Sequence, residues 1–384
     1  MTALRVGIVG AGKISGVYLS TLQRLSNVDV VAVGDLHEAR AEAAAATTPR
    51  ARALAIADLL AADDVDLVLN LTIPAAHAEI ARAAIAAGKH VYGEKPLTVT
   101  TAEADAMLAA AAAAGVRLGC APDTVLGTGV QTARASLDSG EIGKPIAATA
   151  FMVTPGHERW HPAPEFYYQP GGGPLFDMGP YYLTALVTLL GPVRRVAGMA
   201  ATPRTTRFIG SGPRSGAEIE VAVATHVTGV LEHANGALST LVMSFDVWAG
   251  RLPLIEVYGT AGSLSVPDPN RFDGAVQIFR AGAEDWAPVP EAGGYRGAAR
   301  GYGVSDLASA LTAGTAHRAN GEIAYHVLDV MESLLAAADS GQAVDITSSC
   351  DRPPAVPFGA RPDDPTTGHA ARAAGFGPGA GNGP

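Results

Sequence analysis

Two short segments of the sequence carry side chains that could exchange protons with a bound hydroxyl group. The first is Glu94-Lys95-Pro96, which follows an apolar run typical of a buried strand. The second contains Asp177, which lies four residues after a run of three glycines and four residues before Tyr181. Lysine, carboxylate and phenol groups suit general acid–base catalysis. We expect Lys95 to be the central group, with Glu94 fixing its position and Pro96 restricting the backbone, a cis peptide being one option.

A glycine-rich turn follows the first apolar run of the chain. Gly10 and Gly12 occupy the first two positions of the G-x-G-x-x-G pattern, and Ser15 takes the third. The two glycines permit a tight turn and a close approach of the backbone to a pyrophosphate. The N–H groups of Lys13 and Ile14 would then face the diphosphate at a helix N-terminus. This turn therefore predicts a dinucleotide cofactor.

Asp35 ends the second predicted strand, 19 positions beyond Gly16. A carboxylate there can accept hydrogen bonds from both ribose hydroxyls and would repel a 2′-phosphate, which favours NAD over NADP. The alternative is that Asp35 only caps the next helix. His37 and Arg40 are close enough in sequence to leave NADP open.

The elements that position these residues alternate between strands and alanine-rich helices over residues 4–124. This alternation predicts a parallel, doubly wound sheet, a Rossmann domain, with ligands beyond the carboxyl ends of its strands. Residues 70–77 end one strand and begin a helix at that same edge. The cofactor-binding residues expected from this edge are Thr72, Pro74, His77, Glu94 and Lys95.

After residue 125 the pattern changes to a second α/β domain, expected to span 125–350. Runs joined by short turns predict antiparallel neighbours, because a parallel crossover needs a dozen or more residues. The predicted strands are 146–153, 218–232, 236–246, 253–258, 263–266 and 275–280, and the predicted helices are 125–137, 304–313 and 322–340. The segment 351–384 is rich in Pro, Gly and Ala and is expected to be a flexible tail.

The phrase AGKHVYGEKPL at residues 87–97, with TIPAAH upstream, resembles the Gfo/Idh/MocA family of sugar and inositol dehydrogenases. The resemblance covers roughly residues 4–345. It implies a Rossmann domain followed by an α/β domain built on a large, open, mainly antiparallel sheet. It also implies that Lys95 acts at the substrate hydroxyl or carbonyl, and that the protein forms a homodimer or homotetramer through the exposed sheet face.

The family's second signature is a glycine-rich turn followed by Asp-x-Gly-x-His. The glycines and Asp177 match, but Tyr181 replaces the histidine that is usually assigned as proton relay. We therefore expect Tyr181 to be the general acid/base, with Asp177 orienting a sugar hydroxyl; Tyr182 is the other candidate, and a packed core tyrosine is the alternative. We expect the ammonium of Lys95 to lower the pKa of Tyr181, and a positive nicotinamide in a dry crevice to lower that of Lys95.

The segment 157–169 is dense in aromatic and hydrogen-bonding side chains, which suits a polyol substrate. The alternative is a packed loop between domains or subunits. Prolines interrupt the histidines of this segment, so no metal is expected. Asp123 follows the last Rossmann strand. The expected substrate-binding residues are Lys95, Trp160, His161, Tyr167, Asp177, Tyr181 and Asp123.

The composition narrows the classes of partner. Lys plus Arg number 27 against 37 for Asp plus Glu, a formal charge of −10, which argues against nucleic acid or an anionic membrane as partner. The chain has two cysteines outside any paired spacing, and no long apolar run or signal-peptide pattern, so we expect a cytoplasmic protein.

These features predict an NAD-dependent enzyme that transfers hydride between nicotinamide and a secondary hydroxyl or ketone of a sugar, glycoside or cyclic polyol. Two alternatives stay open: a glycoside hydrolase or lyase that retains its NAD without net redox change, and a non-catalytic NAD-binding regulator. The sequence does not identify the sugar substrate, the carbon that is oxidised or the physiological direction of the reaction.

Overall fold

The computed structural model describes residues 3–369 of the chain. The first part is a six-stranded parallel sheet with strand order β3-β2-β1-β4-β5-β6, which confirms the predicted Rossmann fold. Its strands are β1 (Leu4–Val9), β2 (Val28–Gly34), β3 (Arg52–Ala53), β4 (Leu67–Asn70), β5 (His90–Gly93) and β6 (Leu118–Cys120), and its helices are α1 (Ser15–Leu22), α2 (Glu38–Ala46), α3 (Ile56–Ala61), α4 (Pro74–Ala86) and α5 (Thr101–Ala114). The short elements β3 and α3 are absent from the sequence prediction.

Two apolar cores cover the two faces of this sheet, because successive strand residues point to opposite sides. Ile8 of β1 packs with α1 on one face, while Val9 packs with α4 and α5 on the other. Both residues are fully buried. The carboxyl ends of the strands are thereby held at one edge, where the glycine turn and Lys95 lie.

The second part contains a nine-stranded sheet with helices on one face. Its order is β16-β15-β14-β13-β7-β12-β11-β8-β17, and all pairs are antiparallel except β12 with β7. The strands are β7 (Pro145–Val153), β8 (Val193–Ala201), β9 (Thr206–Phe208), β10 (Glu218–Glu220), β11 (His226–His233), β12 (Leu238–Ser244), β13 (Ile255–Gly259), β14 (Gly262–Val266), β15 (Val276–Arg280), β16 (Ala287–Val289) and β17 (Val344–Asp345). The helices are α6 (Thr128–Asp138), α7 (Gly173–Leu190), α8 (Tyr302–Ala313), α9 (Gly321–Ser340) and α10 (Pro365–Gly368). This large, mainly antiparallel sheet agrees with the architecture that the family resemblance implies.

Two details of the predicted sheet are wrong. The predicted strand 218–232 is two strands, because the backbone at Val221 and Ala222 bonds to Thr205 and Tyr168 instead of continuing the ladder. Its first part, β10, pairs with β9 in a separate two-stranded sheet. The strands β12 and β13 are not neighbours, since β7 lies between them and pairs with both.

Near its C-terminal end, the chain returns to the first part of the fold. Helix α8 packs its Val304 and Leu307 into the core under α1, so the Rossmann core extends beyond the predicted limit at residue 124. Residues 351–369 of the predicted flexible tail pack against the second part of the chain. The carbonyl of Pro353 accepts a hydrogen bond from Arg134, and Val356 is buried. Residues 370–384 of that predicted tail lie outside the described residues.

Between residues 3 and 369 no helix has both the length and the apolar character that a membrane crossing requires.

Candidate active site

The glycine turn has the shape that a dinucleotide needs. Gly10 has φ +103°, and a Cβ there would lie 2.6 Å from the carbonyl oxygen of Leu71, so only glycine fits. The space beside Gly12 is open, with no atom within 4 Å of a built Cβ. The backbone N–H groups of Lys13 and Ile14 have no acceptor among the described residues. These groups can hold a pyrophosphate at the start of α1.

Asp35 lies beside this turn at the end of β2. Its Oδ2 accepts the N–H of Ala11 at 2.8 Å, and its Oδ1 accepts the N–H of His37 at 2.8 Å. The carboxylate therefore shapes the glycine turn and also caps the chain that enters α2. Each oxygen keeps a lone pair that a ribose hydroxyl can reach.

The turn after β4 supplies a second wall, but its histidine has a different role from the predicted one. Thr72 and Pro74 lie at the carboxyl edge, with Pro74 as the first residue of α4. His77 is buried, and its Nδ1 and Nε2 face the carbonyl oxygens of Pro96 (2.6 Å) and Thr72 (3.2 Å). His77 thus ties the cofactor-side turn to the Lys95–Pro96 turn instead of binding cofactor itself.

Lys95 and Asp177 meet across the two parts of the chain. Lys95 follows β5, its peptide bond to Pro96 is cis, and its Nζ donates to Oδ1 of Asp177 at 2.8 Å and to the Asp177 carbonyl at 2.6 Å. Glu94 accepts hydrogen bonds from the hydroxyl of Tyr18 (2.8 Å) and the N–H of Lys95 (3.1 Å), which fixes the start of this turn. The two predicted motifs therefore form one site.

The pKa of Lys95 in the protein without cofactor is set mainly by burial and by Asp177. Burial lowers it, but the Asp177 carboxylate more than offsets burial, and the pKa of Lys95 is raised. Burial raises the pKa of Asp177, yet Lys95 and a histidine reverse this and lower it to about 2. The pair is therefore an ammonium and a carboxylate at neutral pH.

That histidine is His157, which sequence reasoning missed as a partner. Its Nε2 lies 3.0 Å from Oδ2 of Asp177, so Asp177 bridges His157 and Lys95. We call Lys95, Asp177 and His157 the site cluster. A histidine thus reaches the Asp177 carboxylate from the loop after β7, although α7 carries tyrosine at position 181. The only sequence signal is that His157 opens the aromatic segment near Asp177.

A buried set of charges holds the His157 loop in place. Arg207 donates to Glu158 Oε1 (2.9 Å) and to Asp246 Oδ1 (2.6 Å), and the hydroxyl of Tyr168 donates to Glu158 Oε2. We call Glu158, Arg207 and Asp246 the scaffold cluster. Gly156 has φ +109°, a backbone conformation that favours glycine, so the turn before His157 requires glycine.

Tyr181 lies beside Lys95 but is not acidified by it. Lys95 Nζ is 5.3 Å from the centre of the Tyr181 ring, and the Tyr181 hydroxyl accepts a hydrogen bond from Arg300 Nη2 at 3.2 Å. Burial raises the pKa of Tyr181 and outweighs the lowering effect of Lys95, which corrects the expectation of a near-neutral phenol. Arg300 also donates to Asn270 Oδ1 at 2.7 Å. No local pattern in the sequence points to Arg300 or Asn270.

The predicted aromatic segment forms a wall beside His157. Tyr167 packs edge-on against the His157 ring at 4.8 Å, and Trp160 lies 5.3 Å from it. Lys13 Nζ lies 5.9 Å from the Trp160 ring, so this wall reaches the glycine turn. Burial, with a contribution from Asp177, raises the pKa of Tyr167 to about 12. His161 packs against Tyr167 at 5.6 Å and completes the wall.

Two further candidates do not join this group. Asp123 is buried, and its Oδ2 accepts the N–H groups of Gly301 and Gly303 at 2.9 Å each, so it caps α8 instead of facing substrate. Tyr182 is buried, and burial together with Asp268 raises its pKa. Tyr181 is therefore the tyrosine beside Lys95.

Family comparisons agree with this geometry. Residues 4–121 match the oxidoreductase family with an NAD-binding Rossmann fold, and residues 130–265 match the GFO/IDH/MocA C-terminal domain. The match over the parallel dinucleotide sheet shows that the chain is an NAD-binding oxidoreductase. The chain belongs to the Gfo/Idh/MocA family.

Similar proteins act on sugars and sugar nucleotides. The chain is 28% identical over 351 residues to 1,5-anhydro-D-fructose reductase of Ensifer adhaerens, covering 89% of this chain and 98% of the relative. It is 30% identical over 297 residues to dTDP-3,4-didehydro-2,6-dideoxy-alpha-D-glucose 3-reductase of Streptomyces antibioticus, covering 75% and 84%.

Solved structures share the fold over almost their full length. An NAD binding oxidoreductase from Klebsiella pneumoniae superposes with TM-score 0.78 at 25% identity, covering 90% of this chain and 100% of the other. Levoglucosan dehydrogenase in complex with NADH and L-sorbose gives TM-score 0.77 at 21% identity, covering 91% and 100%.

Proposed function

We propose that this protein is an NAD-dependent sugar or polyol dehydrogenase, or keto-sugar reductase, acting on a secondary hydroxyl or ketone. The observation that carries the proposal is the 2.8 Å contact between Lys95 Nζ and Asp177 at the carboxyl edge of the Rossmann sheet. An aromatic wall and a polar cluster meet there, which suits the C–H faces and hydroxyls of a sugar ring. Relatives that act on sugars support this substrate class.

Lys95 holds the proton at the reacting oxygen. Its ammonium form donates to a ketone oxygen, and its neutral form accepts the proton of a carbinol. Bound NAD supplies the hydride acceptor or donor at C4 of its nicotinamide. Because the carboxylate of Asp177 raises the pKa of Lys95, the ammonium form dominates at neutral pH. Ketone reduction is therefore favoured near neutrality, and the rate of alcohol oxidation rises with pH.

Asp177 and His157 orient Lys95 and connect it to a second titratable group. One carboxylate oxygen faces Lys95 and the other faces His157, so Asp177 fixes the direction of both donors. Histidine is a common proton shuttle in enzyme active sites. We assign His157 the role of replenishing the proton that Lys95 exchanges.

Tyr181 acts as a neutral donor to a substrate oxygen. Its hydroxyl accepts from Arg300, so its own proton is free to point into the site. The raised pKa keeps the phenol protonated, and Tyr181 replaces the family histidine as a hydrogen-bonding group. We therefore assign to Lys95 the general acid/base role that the sequence analysis expected of Tyr181.

Asp35 favours NAD over NADP in this proposal, because its carboxylate lies where a 2′-phosphate would approach. We also propose a homodimer or homotetramer formed through the open sheet face. Met199, Val230 and Leu238 are exposed on that face, and an apolar surface of this kind favours burial against a second copy. The molar mass in solution from light scattering tests this assembly.

A turnover screen tests the activity. NADH formation and consumption are followed across a panel of sugars, inositols, glycosides and keto-sugars, with product analysis to detect net hydrolysis. We expect Lys95→Met to lower kcat by about 10³-fold. Tyr181→Phe should lower kcat/KM by about 10-fold, since it removes one hydrogen bond to the substrate. Turnover of Lys95→Met at the wild-type rate contradicts the proposal. Wild-type turnover in Tyr181→Phe removes only the tyrosine from the mechanism.

A further inference from the structure

Arg300 is a half-buried cation without a carboxylate in contact among residues 3–369. Its two hydrogen-bond acceptors, the hydroxyl of Tyr181 and the amide oxygen of Asn270, are both neutral. Both bonds use Nη2, which leaves the N–H groups of Nε and Nη1 without an acceptor in this part of the chain. A guanidinium has five donors in a planar fork, so most of its bonding capacity is unused here.

Other buried arginines of the same protein are matched with acids. Arg207 contacts both Glu158 and Asp246, and Arg318 contacts Asp306. This is the usual arrangement, because a buried charge is costly unless an opposite charge compensates it. Arg300 departs from that arrangement beside Tyr181, where a bound ligand can supply the missing charge.

The acids nearest to Arg300 are already committed to other donors. Burial lowers the pKa of Arg300, and Tyr181 followed by Glu94 and Asp123 raises it, but neither acid forms an ion pair with it. Glu94 accepts from the hydroxyl of Tyr18, and Asp123 accepts from the backbone at the start of α8. Arg300 therefore stays charged while its free donors remain available.

Arg300 and Lys95 flank the same tyrosine. The guanidinium carbon of Arg300 lies 5.9 Å from the Tyr181 ring centre, and Lys95 Nζ lies 5.3 Å from it. Lys95 marks the position of the reacting oxygen in the proposed function. Because both cations lie within 6 Å of one ring centre, a group bound by Arg300 can belong to the same small substrate.

We propose that Arg300 binds a carboxylate of the substrate, so that the preferred substrates are sugar acids, such as uronates or their keto derivatives, and not neutral sugars. A carboxylate pairs with two parallel N–H groups of a guanidinium, and Arg300 has such donors free. The proposal rests on the proposed function for the identity of the site. The ligand binding itself does not require turnover.

Matched pairs of ligands test this proposal. D-glucuronate is compared with D-glucose, and D-galacturonate with D-galactose, by calorimetric Kd on NAD⁺-loaded protein and by kcat/KM where turnover occurs. We expect each acid to bind about 10- to 100-fold more tightly than its neutral partner in the wild type. Arg300→Gln should remove this preference, and Arg300→Lys should keep part of it, because the charge remains without the planar fork.

The control is Arg271→Gln, which removes an exposed arginine next to Asn270 and should leave the preference unchanged. Thermal unfolding checks that each variant is folded. Equal binding of the acids and the neutral sugars by wild type overturns the proposal. A weaker affinity of Arg300→Gln for NADH, with unchanged uronate binding, also overturns it and assigns the arginine to the cofactor pyrophosphate. Uronate binding without turnover would support the carboxylate site while contradicting the proposed activity.

Discussion

His157 and Glu158 are neighbours in the chain, yet their side chains enter two different clusters of charge. His157 joins the site cluster, whose side chains keep 13% to 17% of their surface exposed. Glu158 joins the scaffold cluster, where Arg207 is 1% exposed and the two acids 8% and 10%. Both clusters contain a cation, a carboxylate and a third titratable group, so composition alone does not separate them.

The difference lies in access to solvent. In the scaffold cluster each carboxylate meets Arg207, Tyr168 and Thr225 supply further hydrogen bonds, and the arginine Nε is buried without a partner among the described residues. In the site cluster Lys95 and His157 share Asp177, and both side chains stay partly exposed. A structural cluster is sealed from solvent, whereas a chemical cluster stays accessible to a ligand.

The largest expected effect on stability comes from breaking the scaffold cluster. Arg207→Met leaves Glu158 and Asp246 buried without a cation and should lower the free energy of unfolding by about 3–5 kcal/mol, measured by urea denaturation. The control is Arg204→Met, which removes an exposed arginine 3.8 Å from Asp246 and should cost less than about 0.5 kcal/mol. Equal effects of the two substitutions would show that the scaffold cluster has no special role.

A smaller effect, on rate and not on stability, is expected from His157→Gln. Glutamine can still donate to Asp177 but cannot relay a proton, so kcat should fall about 10- to 100-fold. The free energy of unfolding should change by less than about 1 kcal/mol. The control, His226→Gln, removes a histidine bonded to Ser244 outside the site and should leave kcat unchanged. A wild-type kcat in His157→Gln would exclude the histidine from proton transfer.

The smallest effect is expected from Asp123→Asn, which tests the correction of its predicted role. Burial outweighs the bonds from Gly303 and Gly301 and raises the pKa of Asp123 to about 6. This lies above the unfolded value of about 3.9, so the folded protein binds more protons between these values. The contribution of Asp123 to wild-type stability therefore falls as pH rises from about 4 to about 6. Asp123→Asn should remove that dependence and leave KM unchanged; an increased KM would restore Asp123 to the substrate site.

The sequence predicts the residues that lie in contiguous motifs and misses those that only packing brings together. Gly10, Gly12 and Lys95 sit at strand ends whose position follows from the βαβ pattern, so their location at one edge could be predicted. His157 and Arg300 come from loops far from Lys95 in sequence, and no period or motif relates them. Their positions depend on long-range contacts such as the scaffold cluster and the return of α8 to the Rossmann core.

A role inferred from one sequence neighbour is also wrong where burial or other groups act more strongly on the same side chain. The predicted low pKa of Tyr181 considers Lys95 alone, whereas burial dominates in the folded protein. His77 and Asp123 follow strand ends as predicted, but backbone groups occupy their polar atoms. Position at the ligand-binding edge is therefore not sufficient for a role in the site, because a polar atom already bonded to the backbone is less available to a ligand.

The most direct test of the central claim is the transfer of deuterium from NADH that carries deuterium at both C4 positions to a keto-sugar or keto-sugar acid. Mass spectrometry should find one deuterium on the new carbinol carbon in the wild-type product. Lys95→Met should form that product about 10³-fold more slowly. Product without deuterium, or equal rates for the two proteins, would contradict hydride transfer at the Lys95–Asp177 site.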